Sequence, residues 1–237
     1  VADRPEGPYS DPLKKPLVPG AFGYIDPSVF IDDDGQAYLF WGNNGLWYAK
    51  LNKDMISLGS EVIPVKELND SIAFGPLVMK RDYQLNKRVL KTNYEEGPWV
   101  FKRNGLYYMV YAAGGVPEHM AYSTAKSIHG PWKYQGRIMN EAANSFTIHG
   151  GSIEYHNRHF MFYHNGALPN GGGFRRSTCI EEFKFGEDGK IPFIPFTKEG
   201  VRTPVRNLNP YQRVEAETMA FSYGLKTDRR AGSQHYI

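Results

Sequence analysis

Three stretches of this chain superimpose without a gap, and each opens on a different ionisable side chain. The first runs from Asp26 to Trp41, the second from Glu96 to Tyr111 and the third from His149 to His164. In each, a turn residue (Asp34, Asn104 or Asn157) falls eight positions after the leading polar residue, and an aromatic or aliphatic run follows. The first half alternates as a strand does, the Asp-Gly or Asn-Gly pair suits a tight turn with positive φ, and the second half is rich in β-formers. Three hairpins are expected. Stacking such units about an axis gathers their first side chains in one place, and a repeated scaffold with unlike ionisable groups at its openings is the pattern of an active site.

The units start 70 and 53 residues apart (26 to 96, 96 to 149). That spacing suits four-stranded sheets with variable loops arranged radially as propeller blades. A flat sandwich is the competing architecture, but it gives no reason for a polar residue at the opening of every unit. After the second hairpin, Met120-Ala121-Tyr122-Ser123 reads as a third strand, and Gly130-Pro131-Trp132 as a turn to an outer edge. The same signature, Val1-Ala2-Asp3 with Glu6-Gly7-Pro8-Tyr9, stands at the start of the chain, so the chain is expected to begin partway through a unit. Composition agrees: 16 Tyr, 14 Phe, 25 Gly and 16 Pro in 237 residues describe short strands and many turns.

A net charge of +3, with Lys and Arg scattered, recommends no nucleic-acid partner. No apolar run is long enough to cross a bilayer, so no membrane partner is expected. Cys179 is the single cysteine, which excludes an internal disulfide. From about Asn207 the texture changes, and Tyr211-Gln212-Arg213-Val214-Glu215-Ala216-Glu217 starts a new alternating strand. The 27 residues from Tyr211 to Ile237 are too few to close a core.

Ile25-Asp26-Pro27-Ser28-Val29-Phe30 with Asp33-Asp34-Gly35, Glu96-Gly97-Pro98-Trp99 with Asn104-Gly105-Leu106-Tyr107-Tyr108, and Ile148-His149-Gly150-Gly151 with Phe162-Tyr163-His164-Asn165 together resemble glycoside hydrolase family 43. The resemblance implies an all-β fold: a five-bladed β-propeller, incomplete in this chain, with about three blades plus the outer strands of another in residues 1–206. The missing blades are expected upstream in the same polypeptide or from another chain. Residues 207–237 are similar to the opening of a family 6 carbohydrate-binding module, which makes them a linker and the start of a β-sandwich. The implied activity is inverting removal of arabinofuranosyl or xylosyl residues from plant arabinoxylan or xylo-oligosaccharides, as an α-L-arabinofuranosidase or β-xylosidase. The alternative is a carbohydrate-binding propeller without turnover. A secreted or periplasmic bacterial location goes with the same resemblance, as does the absence of an organic cofactor.

By motif, Glu96 matches the family's general acid and Asp26 its orienting, pKa-tuning aspartate. The general base has no match and is expected upstream of Val1. Asp11-Pro12, the other Asp-Pro pair, follows the outer-strand signature and reads as a peripheral loop. Glu95 rivals Glu96 by adjacency, but strand alternation turns it away. Acid catalysis requires Glu96 to keep its proton, and desolvation together with an ionised Asp26 is expected to help it do so. His149 matches a channel histidine that binds calcium with waters in the family; one protein ligand holds such an ion only with help from channel oxygens. Arg176 resembles a sugar-binding arginine, with Arg175 as an adjacent alternative. Trp41 is a candidate for stacking on sugar, whereas Trp99 and Trp132 read as core. His119, His129, His156, His159 and His164 read as surface or packing residues.

Overall fold

The computed structural model describes residues 1–2, 4, 7–20, 22–77 and 91–201. Asp3 and Glu6 of the N-terminal signature and the module-like stretch 207–237 lie outside the described residues. Among the described residues, eleven strands form three antiparallel sheets, with one short 3-10 turn and the one-turn helix α1 (Ser71–Phe74) between the first sheet and the second. The first sheet holds β1 (Ser28–Ile31), β2 (Ala37–Trp41), β3 (Trp47–Leu51) and β4 (Ile63–Pro64) in chain order. The second holds β5 (Tyr94–Arg103), β6 (Leu106–Ala113), β7 (His119–Ala125) and β8 (Lys133–Met139). The third is three-stranded, with β10 (Arg158–Asn165) between β9 (Gly150–Tyr155) and β11 (Ser177–Phe183). Among the described residues no helix is long and apolar enough to cross a membrane.

All three expected hairpins are present, and their turns differ for a physical reason. Asn104 and Gly105 both take positive φ (50° and 74°), as do His156 and Asn157 (50° and 59°), so each pair makes a two-residue turn whose twist matches its strands. The first hairpin instead spends residues 32–36 on its loop, with Gly35 alone at positive φ (81°) and its N–H donating to the Asp32 carbonyl. The Asp32 carboxylate then accepts from Lys102 Nζ at 2.8 Å and Tyr107 Oη at 2.6 Å, clipping this turn to the second sheet.

The middle sheet is buried on both faces, which is why β6 reads as a continuous apolar run. Tyr107, Met109, Tyr111 and Ala113 face the first sheet and join Phe40, Tyr48, Phe74 and Tyr94 in one core. Tyr108 and Val110 face the other way and meet Met161, Tyr163 and Phe183 of the third sheet. The outer faces of the end sheets are less well covered. Val29 (45%) and Ile31 (60%) on β1, and Ile153 (42%), Tyr155 (47%) and Phe162 (37%) on the third sheet, are exposed.

Two sequence expectations are corrected here. No strand is formed among the described residues of 1–27, so the expected outer strands of a further sheet are not seen there; Val1 and Ser10 exchange backbone hydrogen bonds (2.6 and 2.9 Å). The third sheet also lacks a fourth strand among the described residues. The chain after Phe183 instead straps back across the second sheet, with Ile194 N–H donating to the Ile138 carbonyl of β8 at 2.7 Å. Buried Glu181 holds the end of the strap by accepting from the Thr197 N–H and hydroxyl.

Candidate active site

Strands β1, β5 and β9 are the first of their sheets, and they are stitched side by side. Ser28 Oγ donates to the Pro98 carbonyl, and Trp99 Nε1 donates to the Ser152 carbonyl at 3.0 Å. The approach of β5 to β9 is close at Gly151, where a Cβ would sit 3.1 Å from the Trp99 ring. The residues just ahead of β1 and β9, and near the start of β5, therefore meet. Asp26, Glu96 and His149 bring side-chain donor atoms within 4.8 Å of one another. His149 Nε2 lies 2.7 Å from Glu96 Oε1, and Nδ1 lies 3.9 Å from Asp26 Oδ1. Asp26 takes φ 57° and Gly97 takes φ 63°, and a Cβ on Gly97 would stand 3.1 Å from the His149 ring. Irregular pairing of β5 with β6 around Glu96 turns that side chain inward.

The electrostatics run opposite to the sequence expectation. Burial raises the Asp26 carboxyl above its ordinary value, and the Glu96 charge adds to this against the pull of His149 and Arg176. Burial acts upward on Glu96 too, but the hydrogen bond and charge of His149, with Asn43, outweigh it and hold Glu96 below the ordinary range. Asp26 is thus not what keeps a proton on Glu96 in the free site. Two polar groups the sequence did not single out contribute. Asn43 Nδ2 donates to Glu96 Oε2 and is itself steadied by Asn44 Nδ2 at 2.8 Å. Glu118, 2% exposed, hydrogen-bonds Glu96 from behind and accepts from the Ile148 N–H at 3.0 Å. Burial, then the Glu96 charge, push Glu118 well above the ordinary range.

The remaining candidates are placed as follows. Arg176 is exposed, donates to Thr147 Oγ1 at 3.3 Å, and its charge reaches Asp26; the Arg175 backbone closes a turn with Gly172. Trp41 is buried (3%) with Tyr24 edge-on at 5.8 Å, so its ring has no face free for stacking on sugar. Its Nε1 has no hydrogen-bond partner. Trp132 is core, and Trp99 is packed between β5 and β9. His164, read as packing or surface, lies 5.7 Å ring to ring from His149 and is pushed down to about 4 by burial and by the neighbouring His149 and Arg176 charges. With Trp99, His149, Gly151, Ile153, Phe162 and Thr178 it lines a groove beside the carboxylates. Asp11 is spent on a turn, its Oδ1 accepting from the Leu13 and Lys14 N–H groups. Glu95 lies beside the site with its carbonyl accepting from Asn44 N–H, while the Glu96 side chain faces the cluster.

The donor set admits a cation. Asp26 Oδ2 is buried without a partner, and His149 Nδ1 faces the same carboxylate, whereas both oxygens of Glu96 are engaged. An ion there would have Asp26 and His149 on one side and needs water for most of calcium's six to eight ligands.

Two acidic groups and an imidazole thus stand at the ends of adjacent strands of an all-β scaffold, beside a groove lined by aromatic residues. The sequence model of glycosyl hydrolases family 43 matches residues 1–191, and the chain belongs to that family. Among its relatives is an arabinoxylan arabinofuranohydrolase from Bacillus subtilis, 31% identical over 97% of this chain and 47% of the relative. A solved family 43 arabinoxylan arabinofuranohydrolase from Bacillus subtilis, in complex with cellotetraose, superposes with TM-score 0.69 at 28% identity, covering 92% of this chain and 48% of that one. A family 43 β-xylosidase/α-arabinofuranosidase from a compost microbial metagenome, in complex with xylotriose in a calcium-free form, gives TM-score 0.59 at 25% identity over 73% and 58% of the two chains. The chain spans about half the length of these relatives.

Proposed function

We propose that this chain carries the acid-bearing part of an inverting glycosidase that removes arabinofuranosyl or xylosyl groups from arabinoxylan or xylo-oligosaccharides. The observation that carries the proposal is the convergence of Asp26, Glu96 and His149 within 4.8 Å at the ends of three adjacent strands. Glu96 is the general acid, delivering a proton to the glycosidic oxygen as the C1 bond breaks. Its resting contacts with His149 and Asn43 have to yield to the substrate, and a sugar that displaces water raises its proton affinity by desolvation. Asp26 orients and tunes. It lies too close to Glu96 to leave room for the attacking water of an inverting pair, whose carboxyls stand about 6.5–9.5 Å apart, so the base is a further carboxylate. Arg176, hydrogen-bonded to Thr147 and acting by charge on Asp26, is read as the group that binds sugar hydroxyls.

The three sheets are read as blades of a five-bladed propeller completed by further sheets, with the stretch 207–237 opening a carbohydrate-binding module. Assay of nitrophenyl α-L-arabinofuranoside and nitrophenyl β-D-xyloside with the whole protein tests the function. Turnover of at least one is expected; saccharide binding without turnover marks a carbohydrate-binding protein instead.

Calcium is the ion proposed for the Asp26 and His149 side, where it would add fixed positive charge beside the carboxylates. Restoring calcium to chelator-treated protein at about 100 times its dissociation constant adds about 2.7 kcal/mol, a rise in Tm of roughly 5–10 °C for a domain of this size. His149→Ala should remove the rise. An unchanged Tm in the wild type contradicts the ion site.

A further inference from the structure

The acid of a glycosidase has to be aimed as well as protonated, and the group behind Glu96 is unusual for a buried position. Glu118 is 2% exposed, and an apolar side chain of equal size would fill its place without the cost of burying a carboxyl. Its position follows from strand register. His119 pairs with Ala113 across β6 and β7, and Ala113 pairs with Tyr94 across β5 and β6, so the residue ahead of β7 arrives at the end of the sheet where Glu96 stands. Its main-chain N–H donates to the Phe146 carbonyl at 3.0 Å, fixing the turn it sits on. Its side chain then makes two directed contacts, accepting from the Ile148 N–H at 3.0 Å and hydrogen-bonding the Glu96 carboxyl. Ile148 directly precedes His149, so one buried carboxyl ties together the acid and the peptide that presents its imidazole partner.

We infer that Glu118 is a positioning residue for the proposed acid, holding the Glu96 carboxyl and the Ile148 peptide in the orientation that proton delivery to the leaving oxygen requires. The inference rests on the assignment of Glu96 as general acid. A hydrogen bond between two carboxyls needs one proton, and the less exposed group is the one that keeps it, so Glu118 (2% exposed) donates and Glu96 (8%) accepts. Burial pushing Glu118 far above the ordinary carboxyl range agrees with this. Glutamine has the same length, can donate to Glu96 and can accept from Ile148, whereas methionine fills the space and can do neither.

The experiment uses the whole protein and a graded set of aryl and alkyl glycosides of the sugar it hydrolyses. A 2,4-dinitrophenolate leaves without help, while an alkoxide needs its proton. Glu118→Met is expected to lower kcat on the alkyl glycoside and on xylo-oligosaccharide by about 10²-fold, through lost acid alignment, with the dinitrophenyl glycoside changed by no more than about threefold. Glu118→Gln is expected to recover most of the loss, and Glu118→Ala to resemble Met if it folds, as checked by circular dichroism. Equal losses on all leaving groups in Glu118→Met, or a Gln variant no better than Met, overturns the inference. Glu96→Gln run in parallel separates the two levels. If it shows no leaving-group dependence the acid assignment itself fails; if it does and Glu118→Met does not, only the role of Glu118 fails.

Discussion

Glu96→Gln is expected to lower kcat on xylo-oligosaccharide or arabinoxylan by about 10²–10⁴-fold, the usual contribution of a positioned general acid. The size of the effect comes from the chemistry of the leaving group, because an alkoxide expelled without a proton is a poor one. The change conserves shape at a position 8% exposed, and the amide can still accept from His149, so folding should be retained. The loss should shrink steeply for a nitrophenyl glycoside, whose leaving group needs little protonation. Steady-state rates on both substrates check this, and hydrolysis unaffected by the substitution removes Glu96 from the mechanism.

The second large effect concerns the end sheets. Val29 and Ile31 on one side, and Ile153, Tyr155 and Phe162 on the other, leave apolar side chains about half in water. Covering each adds roughly 1 kcal/mol, and alternation along the strands puts them on continuous faces. The middle sheet shows what such faces become when covered, since both of its faces are packed with aromatic residues. The 237 residues alone are therefore expected to associate with concentration, whereas the same residues joined to the further sheets proposed here should be monomeric in that region. Light scattering across a dilution series of both proteins measures it. A stable monomer of the 237 residues that hydrolyses glycosides contradicts the proposal.

The sequence carried the hairpins and the convergence because both follow from a repeat. Asn-Gly at 104–105 specifies its own turn, and leading residues at equal offsets in successive units arrive at equivalent strand ends. It carried less of what lies between units. Asn43 stands after β2 and Glu118 ahead of β7, on strands whose relation to Glu96 depends on register, which comparison of first strands alone does not reveal. Following the third strand back to its start would have pointed to residue 118. His164 occupies the last position of the third repeat, where Trp41 and Tyr111 stand in the others, so the alignment held it without marking its nearness to His149. The direction of the Glu96 shift is not legible in its motif, because burial alone would raise it and only the combined hydrogen bonds and charge of His149, Asn43 and Glu118 from other strands and loops outweigh that burial. The burial of the Trp41 indole is not written in its strand neighbours, because Tyr24, from a stretch with no strand among the described residues, covers it.

The division of labour between the two carboxylates is the part of the account most open to a decisive measurement. Asp26 and Glu96 are near enough for Asp26 to attack a sugar carbon directly, a geometry that in retaining enzymes spans about 5–5.5 Å; in the proposed mechanism Asp26 instead tunes, and water activated by another carboxylate attacks. Proton NMR of the first sugar released by the whole protein, recorded before the anomers equilibrate, distinguishes the two. The anomer opposite to that of the substrate is expected. Release of the same anomer would make Asp26 a nucleophile and contradict the proposed mechanism.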